Sequence, residues 1–204
     1  MSPIERGGDW GRTARVPQDA IWVETDAAAA DVIAAARRRG DAVPPLVLTG
    51  GDIVRTLGGT GDRARLEQGE GTNVTIDLGA ALIDGRLNWF VAHLIGRRGW
   101  WRGRVLAVCN SAFVGSWNVA PKAHPGDGEL DVIDGDLSLA DRFRARRRLV
   151  TGTHLPHPRI STRRVTAMQF DLEPGLDIRL DHRPIGRSRT VSVRVEPAAI
   201  DIWV

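Results

Sequence analysis

The segment of residues 110–133 constrains the fold of this chain more than any other part of the sequence. Apolar and polar residues alternate along it with a period of two, which is typical of a strand with one buried face. The alternation is interrupted at residues 125–128, Pro-Gly-Asp-Gly, where the residue types favour a tight turn. This turn gathers the carboxylate of Asp127 and several backbone oxygens in one place. The segment therefore predicts two strands joined by an acidic turn.

Short alternating segments recur along the chain and predict a β-rich domain over residues 67–204. The strongest hairpin signal is Asp84-Gly85, because this dipeptide suits a two-residue turn between strands. One helix is predicted within the domain, over residues 137–149 with Asp136 as its N-cap. The predicted strands are residues 72–78, 80–83, 86–91, 104–110, 116–120, 129–133, 164–172, 176–180, 190–195 and 199–204. We expect them to form two sheets packed in a sandwich-like arrangement.

Residues 1–66 follow a different pattern, which predicts a small α/β segment in front of the β-rich domain. A helix is expected over residues 26–39, since Thr25 can cap its start and Gly40 can end it. Predicted strands at residues 20–24 and 46–49 flank this helix. The second strand runs into the glycine turn Gly50-Gly51-Asp52. A strand, a helix and a strand in this order indicate a β-α-β unit.

Composition limits the class of protein. The chain has 204 residues, of which 42% are hydrophobic and 26% charged, as in ordinary globular domains. It contains no apolar run long enough to cross a bilayer, and its first residues lack the hydrophobic region of a signal peptide. We therefore expect a cytoplasmic protein. Cys109 is the only cysteine, which excludes an intrachain disulfide, and its strand pattern predicts that it is buried.

Arginines cluster at residues 37–39, 97–104, 142–148 and 159–164. Such a surface attracts phosphates and lipid headgroups, although a merely solvated basic surface is the competing interpretation. No nucleic-acid-binding motif accompanies the arginines, so we expect no nucleic-acid partner. The adjacent Trp100 and Trp101 and the basic helix at residues 141–148 suit contact with an anionic membrane surface. A location peripheral to the membrane is therefore kept open.

Residues 110–133 resemble the C-terminal half of the diacylglycerol kinase-like lipid kinases, which are relatives of sphingosine and ceramide kinases. The matching positions are Asn110, Ala120-Pro121, Ala123, Asp127-Gly128 and Leu130-Asp131-Val132. The resemblance covers residues 75–204 well and residues 20–59 weakly, and the chain is shortened before Asp77. It implies transfer of the ATP γ-phosphate to the hydroxyl of a diacylglycerol-type lipid. A homodimer is left open.

The resemblance also implies cofactor sites. Gly50, Gly51 and Asp52 match a nucleotide-binding signature of the family, but Ile53 and Val54 replace its next two residues, Gly and Thr. We therefore expect ATP binding to be weak or lost. In the family the acidic turn holds a structural Mg²⁺, here through the Asp127 carboxylate and the carbonyl groups of His124 and Glu129. An ordinary turn in which Asp127 accepts local N–H groups is the alternative.

The catalytic base of the family is altered in this chain. Where the family has Asp-Gly-Glu, with the glutamate taking the proton of the lipid hydroxyl, this chain has Asp181-His182-Arg183. Arginine cannot act as a base at neutral pH, whereas Asp181 or His182 can accept a proton. Three interpretations follow: an active lipid kinase, a non-catalytic pseudokinase that binds lipid, nucleotide or protein, and a plain interaction module. We expect activity near background.

Overall fold

Residues 21–48 form a parallel β-α-β unit in the computed structural model, which describes residues 11–69, 71–99 and 103–204. Helix α1 (Asp26–Arg39) starts after Thr25, whose hydroxyl accepts a hydrogen bond of 3.1 Å from the backbone N–H of Ala28. It ends at Gly40, which adopts the left-handed conformation with φ 75°. Strands β2 (Ile21–Val23) and β3 (Leu46–Leu48) flank α1 and pair in parallel. The predicted unit is confirmed.

Strands dominate the rest of the chain. Among the described residues, eleven strands join one sheet and two form a separate hairpin. Besides β2 and β3 the sheet contains β1 (Arg12–Ala14), β4 (Gly71–Ile83), β5 (Arg86–Phe90), β6 (His93–Arg97), β7 (Val105–Cys109), β10 (Leu130–Gly135), β11 (Ile160–Val165), β12 (Ala167–Leu180) and β13 (Arg183–Trp203). The hairpin pairs β8 (Phe113–Val114) with β9 (Trp117–Asn118). The remaining helices are α2 (Asp52–Thr56), α3 (Arg63–Glu67) and α4 (Leu139–Leu149).

The long strand β13 connects the two parts of the fold. It pairs with β12 and β4 in antiparallel fashion and with β3 in parallel, so it adjoins both the β-α-β unit and the β-rich region. Two large apolar clusters lie along the sheet: one beneath α1 includes Ile33, Leu46 and Ile202, and the other includes Phe90 and Leu106. The predicted fold class, a small α/β segment followed by a β-rich, sandwich-like domain, is confirmed. The domain boundary between residues 66 and 67 stays a prediction.

Three pairs of predicted strands are joined in the structure. One pair, residues 164–172 and 176–180, lies mostly within β12, although residues 164 and 165 belong to β11. Residues 72–78 and 80–83 both belong to β4, and residues 190–195 and 199–204 fall along β13, which has a register shift between Glu196 and Ile200. Gly79 does not break β4, because its missing side chain leaves room for a neighbouring ring: a Cβ there would lie 2.1 Å from Phe90. Cys109 is buried, as predicted.

Helix α4 begins later than the sequence predicts. Ser138, and not Asp136, is the N-cap, since its hydroxyl accepts a hydrogen bond of 3.2 Å from the N–H of Asp141. The Asp136 carboxylate instead pairs with Arg142 at 3.3 Å. In the part of the chain that the structure describes, no helix has the length and apolar character that a membrane span requires. Trp100 and Trp101, predicted to contact a membrane, lie outside the described residues.

Candidate functional site

The glycine turn after β3 is shaped by the carboxylate of Asp26. Gly51 has φ 106°, a conformation that side chains rarely adopt, and it is the N-cap of the five-residue helix α2. The Asp26 carboxylate accepts hydrogen bonds from the N–H groups of Asp52 at 2.5 Å and Ile53 at 3.3 Å. A Cβ on Gly51 would lie 2.5–2.7 Å from that carboxylate. Glycine is therefore needed here so that Asp26 can approach the turn.

Asp26 also sets the electrostatics of the turn. Its burial, together with the nearby charge of Asp181, raises the pKa of Asp26 to about 7. The N–H groups at the start of α2, which a phosphate would use, already donate to this protein carboxylate. The predicted nucleotide contacts at Gly50, Gly51 and Asp52 therefore do not form a free phosphate cradle.

Asp52 is the centre of a cluster of polar side chains. Its Oδ2 atom lies 2.9 Å from Nε2 of His93 and 2.7 Å from Nε2 of His182. The backbone N–H of Gly115 donates to the same carboxylate, at 2.9 Å to Oδ1 and 3.1 Å to Oδ2. The structure thus brings Asp52, from the predicted nucleotide turn, into direct contact with His182, from the predicted catalytic triplet.

The hydrogen bonds of this cluster shift the pKa values of its members. Burial by itself would raise the pKa of Asp52, but the bonds from His182, His93 and Gly115 outweigh it and hold that pKa below its usual range. The hydrogen bond to Asp52 raises the pKa of His182. Asp52 is accordingly a carboxylate at neutral pH, and His182 keeps a larger protonated fraction than an isolated histidine.

The turn between β12 and β13 holds both predicted catalytic residues, but in different environments. Asp181 and His182 have φ values of 46° and 66°, as a tight hairpin turn requires. Asp181 is buried, and its carboxylate accepts hydrogen bonds of 2.8–2.9 Å from the N–H groups of Val91, Ala92 and His93. Burial raises the pKa of Asp181. Asp181 therefore anchors the backbone, whereas the side chain of His182 is 55% exposed.

Arg183 points away from the cluster. Its guanidinium forms an ion pair with Asp31 on the surface of α1. The position that holds the catalytic glutamate in the resembled family thus fastens the hairpin turn to helix α1 in this chain.

The predicted metal turn contains an arginine where a cation was expected. The Asp127 carboxylate pairs with Arg164, which also contacts the Glu129 carboxylate at 3.0 Å. Nδ1 of His124 accepts a hydrogen bond from Gly126, and the second Asp127 oxygen accepts one from the N–H of Glu129. Asp127, His124 and Glu129 therefore make the contacts of a closed turn, which do not fit a hard cation unless Arg164 moves. Within the described residues, no hydrogen bond or ion pair joins this turn to the Asp52 cluster.

Sequence reasoning missed three residues that shape this region: Asp26, His93 and Gly115. Asp26 lies at a helix start, where an acidic residue suits the helix dipole and gives no sign of a site. His93 is a single histidine without a partner at a meaningful spacing, and Gly115 contributes only a backbone N–H. The contact between His93 and Asp52 spans 41 positions in sequence, so no local pattern could have revealed it.

An apolar cavity of about 420 Å³ lies between the sheet and α4. Strand residues Ile95, Ala107 and Ile133 form its floor, and the helix contributes Ala145 and Leu149. One of the few polar groups in its wall is the buried His154, whose ring interacts with the backbone of Val119 and keeps at least one nitrogen without a hydrogen-bond partner within the described residues. A cavity of this size and lining suits an apolar ligand that carries a hydrogen-bonding group.

The β8–β9 hairpin lies between this cavity and the Asp52 cluster. Val114 and Trp117 line the cavity, while Gly115, at the turn between them, donates its N–H to Asp52. Arg55 of helix α2 supports the same turn: it donates to the Gly115 carbonyl at 2.8 Å and stacks on the Phe113 ring. The apolar cavity and the polar cluster are therefore neighbouring parts of one region.

Comparison with known proteins gives a consistent result for the fold. Residues 69–204 match the family model of the YegS C-terminal NAD kinase beta sandwich-like domain. The structure of a proposed diacylglycerol kinase from Bacillus anthracis strain Sterne is similar with a TM-score of 0.69 and 13% identity, over 90% of this chain and 77% of that one. A diacylglycerol kinase structure from the same strain gives a TM-score of 0.55 and 12% identity, over 78% and 66% of the two chains. No curated protein sequence matches the chain.

Proposed function

Since the chain belongs to the lipid-kinase-like family of the YegS C-terminal NAD kinase beta sandwich-like domain, we propose that it is a non-catalytic member that binds a diacylglycerol-type lipid in its apolar cavity. The observation that carries this proposal is the β8–β9 hairpin, which lines the cavity with Val114 and Trp117 and reaches Asp52 with Gly115. An acyl chain in the cavity would leave the polar end of the lipid beside Asp52 and His182.

The polar groups of the cavity suit the rest of such a lipid. His154 is buried, and at least one of its ring nitrogens has no hydrogen-bond partner among the described residues. Burial lowers the pKa of His154, which favours the neutral ring. A neutral imidazole can donate one hydrogen bond to an ester carbonyl and thereby remove the penalty of a buried, unpaired polar group. The apolar walls supply the main driving force, about 0.8 kcal/mol for each buried CH₂ group.

Membership of a kinase-like family suggests the use of nucleotide and metal in general, but the glycine turn does not fit an ATP phosphate. Its N–H groups donate to Asp26, and the carboxylates of Asp52 and Asp181 lie nearby. The negative charge of the Asp52 carboxylate opposes a triphosphate. We expect ATP to bind with a Kd weaker than about 10 μM, equivalent to roughly −7 kcal/mol. Mg²⁺ at Asp127 stays a prediction.

A slow lipid kinase is the second candidate function, and one contact favours it. The Asp52–His182 hydrogen bond of 2.7 Å holds an exposed imidazole beside the cavity, where it could take the proton of a lipid hydroxyl. The raised pKa of His182 opposes this role at neutral pH, because a base must be unprotonated. Arg183 stands where the family has its glutamate, so this position supplies no carboxylate that could act as a base. Its guanidinium pairs with Asp31 instead.

Contact with an anionic membrane surface is part of the proposal, because it would deliver the lipid. Helix α4 exposes apolar side chains beside a row of arginines, a combination that suits the boundary between headgroups and acyl chains. The exposed residues of this helix include Leu139, Phe143, Arg144, Arg146, Arg147 and Arg148, and the exposed Val150 follows its last residue. A homodimer and the absence of a nucleic-acid partner remain predictions.

Filling the cavity is expected to abolish lipid binding. Ala145→Trp places an indole in the cavity from the α4 side without altering the sheet, and we expect at least a tenfold loss of affinity for a short-chain diacylglycerol. Calorimetry on the purified chain measures this. Ala140→Trp, at an exposed position of the same helix, is the matched control and should bind as the wild type does. Equal binding by the Ala145→Trp protein, or no binding by the wild type, would refute the proposed lipid site.

Phosphoryl transfer from ATP to diacylglycerol is expected to remain at the level of a protein-free control. The measurement is the formation of labelled phosphatidic acid in the presence of Mg²⁺. Rapid transfer that is lost in His182→Ala would establish the second candidate instead, since general-base assistance is worth about 10²–10⁴-fold. A combined His182→Gly and Arg183→Glu variant restores the family triplet and shows whether the missing base alone limits the rate.

A further inference from the structure

We infer that Asp52, His93 and His182 form a binding site for a divalent transition-metal ion such as Zn²⁺. Each residue contributes one potential ligand atom, and the three atoms lie within 4.8 Å of one another. They come from helix α2, strand β6 and the turn before β13, which the fold brings to one point. This inference does not depend on lipid binding or on phosphoryl transfer.

The spacing of the three atoms is close to that of metal ligands. The two Nε2 atoms are 3.3 Å apart, and they lie 2.9 Å and 2.7 Å from Oδ2 of Asp52. Ligands bound tetrahedrally to zinc at about 2.0–2.1 Å are separated from one another by roughly 3.3 Å. The nitrogen–nitrogen distance already has this value, and the two contacts to Asp52 need to lengthen by only about half an ångström.

The arrangement is unfavourable for the histidines alone. Both Nε2 atoms contact the same carboxylate oxygen, so each must donate an N–H to it, and two donors then face each other across 3.3 Å. One cation in place of the two converging protons would bind both nitrogen lone pairs and the carboxylate. Such an ion resolves the conflict between the donors.

The surroundings hold the ligands in place and leave one side open. The Gly115 N–H donates to Asp52 and orients its carboxylate, as outer hydrogen bonds commonly do around metal ligands. His93 is fully buried, whereas His182 is half exposed. Three protein ligands with a fourth position facing solvent are typical of zinc sites that exchange a water molecule.

The donor set also determines which ion fits. Two imidazole nitrogens and one carboxylate suit zinc and other divalent transition metals, whereas Mg²⁺ prefers oxygen ligands. The site should therefore select Zn²⁺ over Mg²⁺.

Direct titration of Zn²⁺ into the purified, tag-free chain tests the inference without any measurement of turnover. We expect one ion per chain and no displacement by millimolar Mg²⁺. His182→Ala should weaken binding by about 100-fold or more, since even outer-shell changes around metals cost 10–100-fold. Co²⁺ bound in place of Zn²⁺ should show the intense visible absorption of a tetrahedral centre, and this absorption should disappear in the same variant.

Two further variants complete the test. Asp52→Asn should also weaken binding, and His157→Ala, which removes a histidine outside the cluster, should not. Circular dichroism establishes that each variant is folded; if Asp52→Asn does not fold, the half-exposed His182 still decides the result. Absence of saturable Zn²⁺ binding by the wild type, unchanged affinity in His182→Ala, or equal binding of Mg²⁺ would each overturn the inference. None of these results would by itself decide whether the cavity binds lipid.

Discussion

Asp181→Ala is expected to lower the free energy of unfolding by about 3 kcal/mol or more. The substitution leaves the N–H groups of Val91, Ala92 and His93 without their acceptor in a buried position. Each unsatisfied buried donor costs about 1–3 kcal/mol, and the cost of burying the carboxylate itself offsets part of the total. The loss is expected because the Asp181 carboxylate holds the backbone of residues 91–93 against the turn between β12 and β13.

Urea unfolding measures this loss as a fall in the transition midpoint at unchanged slope. Asp177→Ala is the matched control, because Asp177 is exposed on the same strand pair. Its effect should stay within about 0.5 kcal/mol, the usual range for surface substitutions. A loss below about 1 kcal/mol in Asp181→Ala would show that the three N–H groups find other acceptors. It would contradict the structural role assigned to Asp181.

Gly51→Ala is expected to destabilise the protein by about 3 kcal/mol. Backbone strain contributes roughly 1–3 kcal/mol, because φ is 106° at this position. The collision of the new Cβ with the Asp26 carboxylate adds about 1–3 kcal/mol. Gly58→Ala is a suitable control: Gly58 also has a positive φ, but a Cβ added there would meet nothing within 4 Å, so only the strain remains.

A double substitution separates the two contributions of Gly51. Adding Asp26→Ala to Gly51→Ala removes the group with which the new Cβ collides, so the combined loss should be smaller than the sum of the single losses. We expect a coupling of about 1 kcal/mol or more from a double-mutant cycle in urea. Strictly additive losses would contradict the view that the glycine turn exists to accommodate Asp26.

Much of the N-terminal fold could be predicted because its signals are local. Thr25 and Gly40 mark the ends of α1 within one turn of the helix, and the flanking apolar runs mark β2 and β3. The cap of α4 was wrong because Asp136 and Ser138 both suit an N-cap, and the choice depends on the ion pair between Asp136 and Arg142. The division of β4 was wrong because Gly79 is tolerated within the strand only through the packing of Phe90.

The candidate site was predictable only in part, because most of the contacts that define it join residues far apart in sequence. Gly50–Asp52 and Asp181–His182 stand out through residue type and turn chemistry, and the structure places Asp52 and His182 in contact. The partners that determine their chemistry are remote in sequence: Asp26 lies 26 positions from Asp52, and Gly115 lies 63 positions away. Arg164 likewise reaches the Asp127 turn across 37 positions. Contacts of this kind arise when strands pair in the folded chain, and they produce no repeating pattern in the sequence from which they could be predicted.

The short β8–β9 hairpin joins the apolar cavity to the polar cluster, so we expect occupancy of one to affect the affinity of the other. Trp117 contacts whatever fills the cavity, and two residues away Gly115 fixes the carboxylate that receives both histidines. A lipid that shifts Trp117 would alter the affinity of the cluster for an ion. By reciprocity the ion must then alter the affinity for the lipid by the same factor. Lipid affinity measured with and without Zn²⁺ would report the sign of this cooperativity.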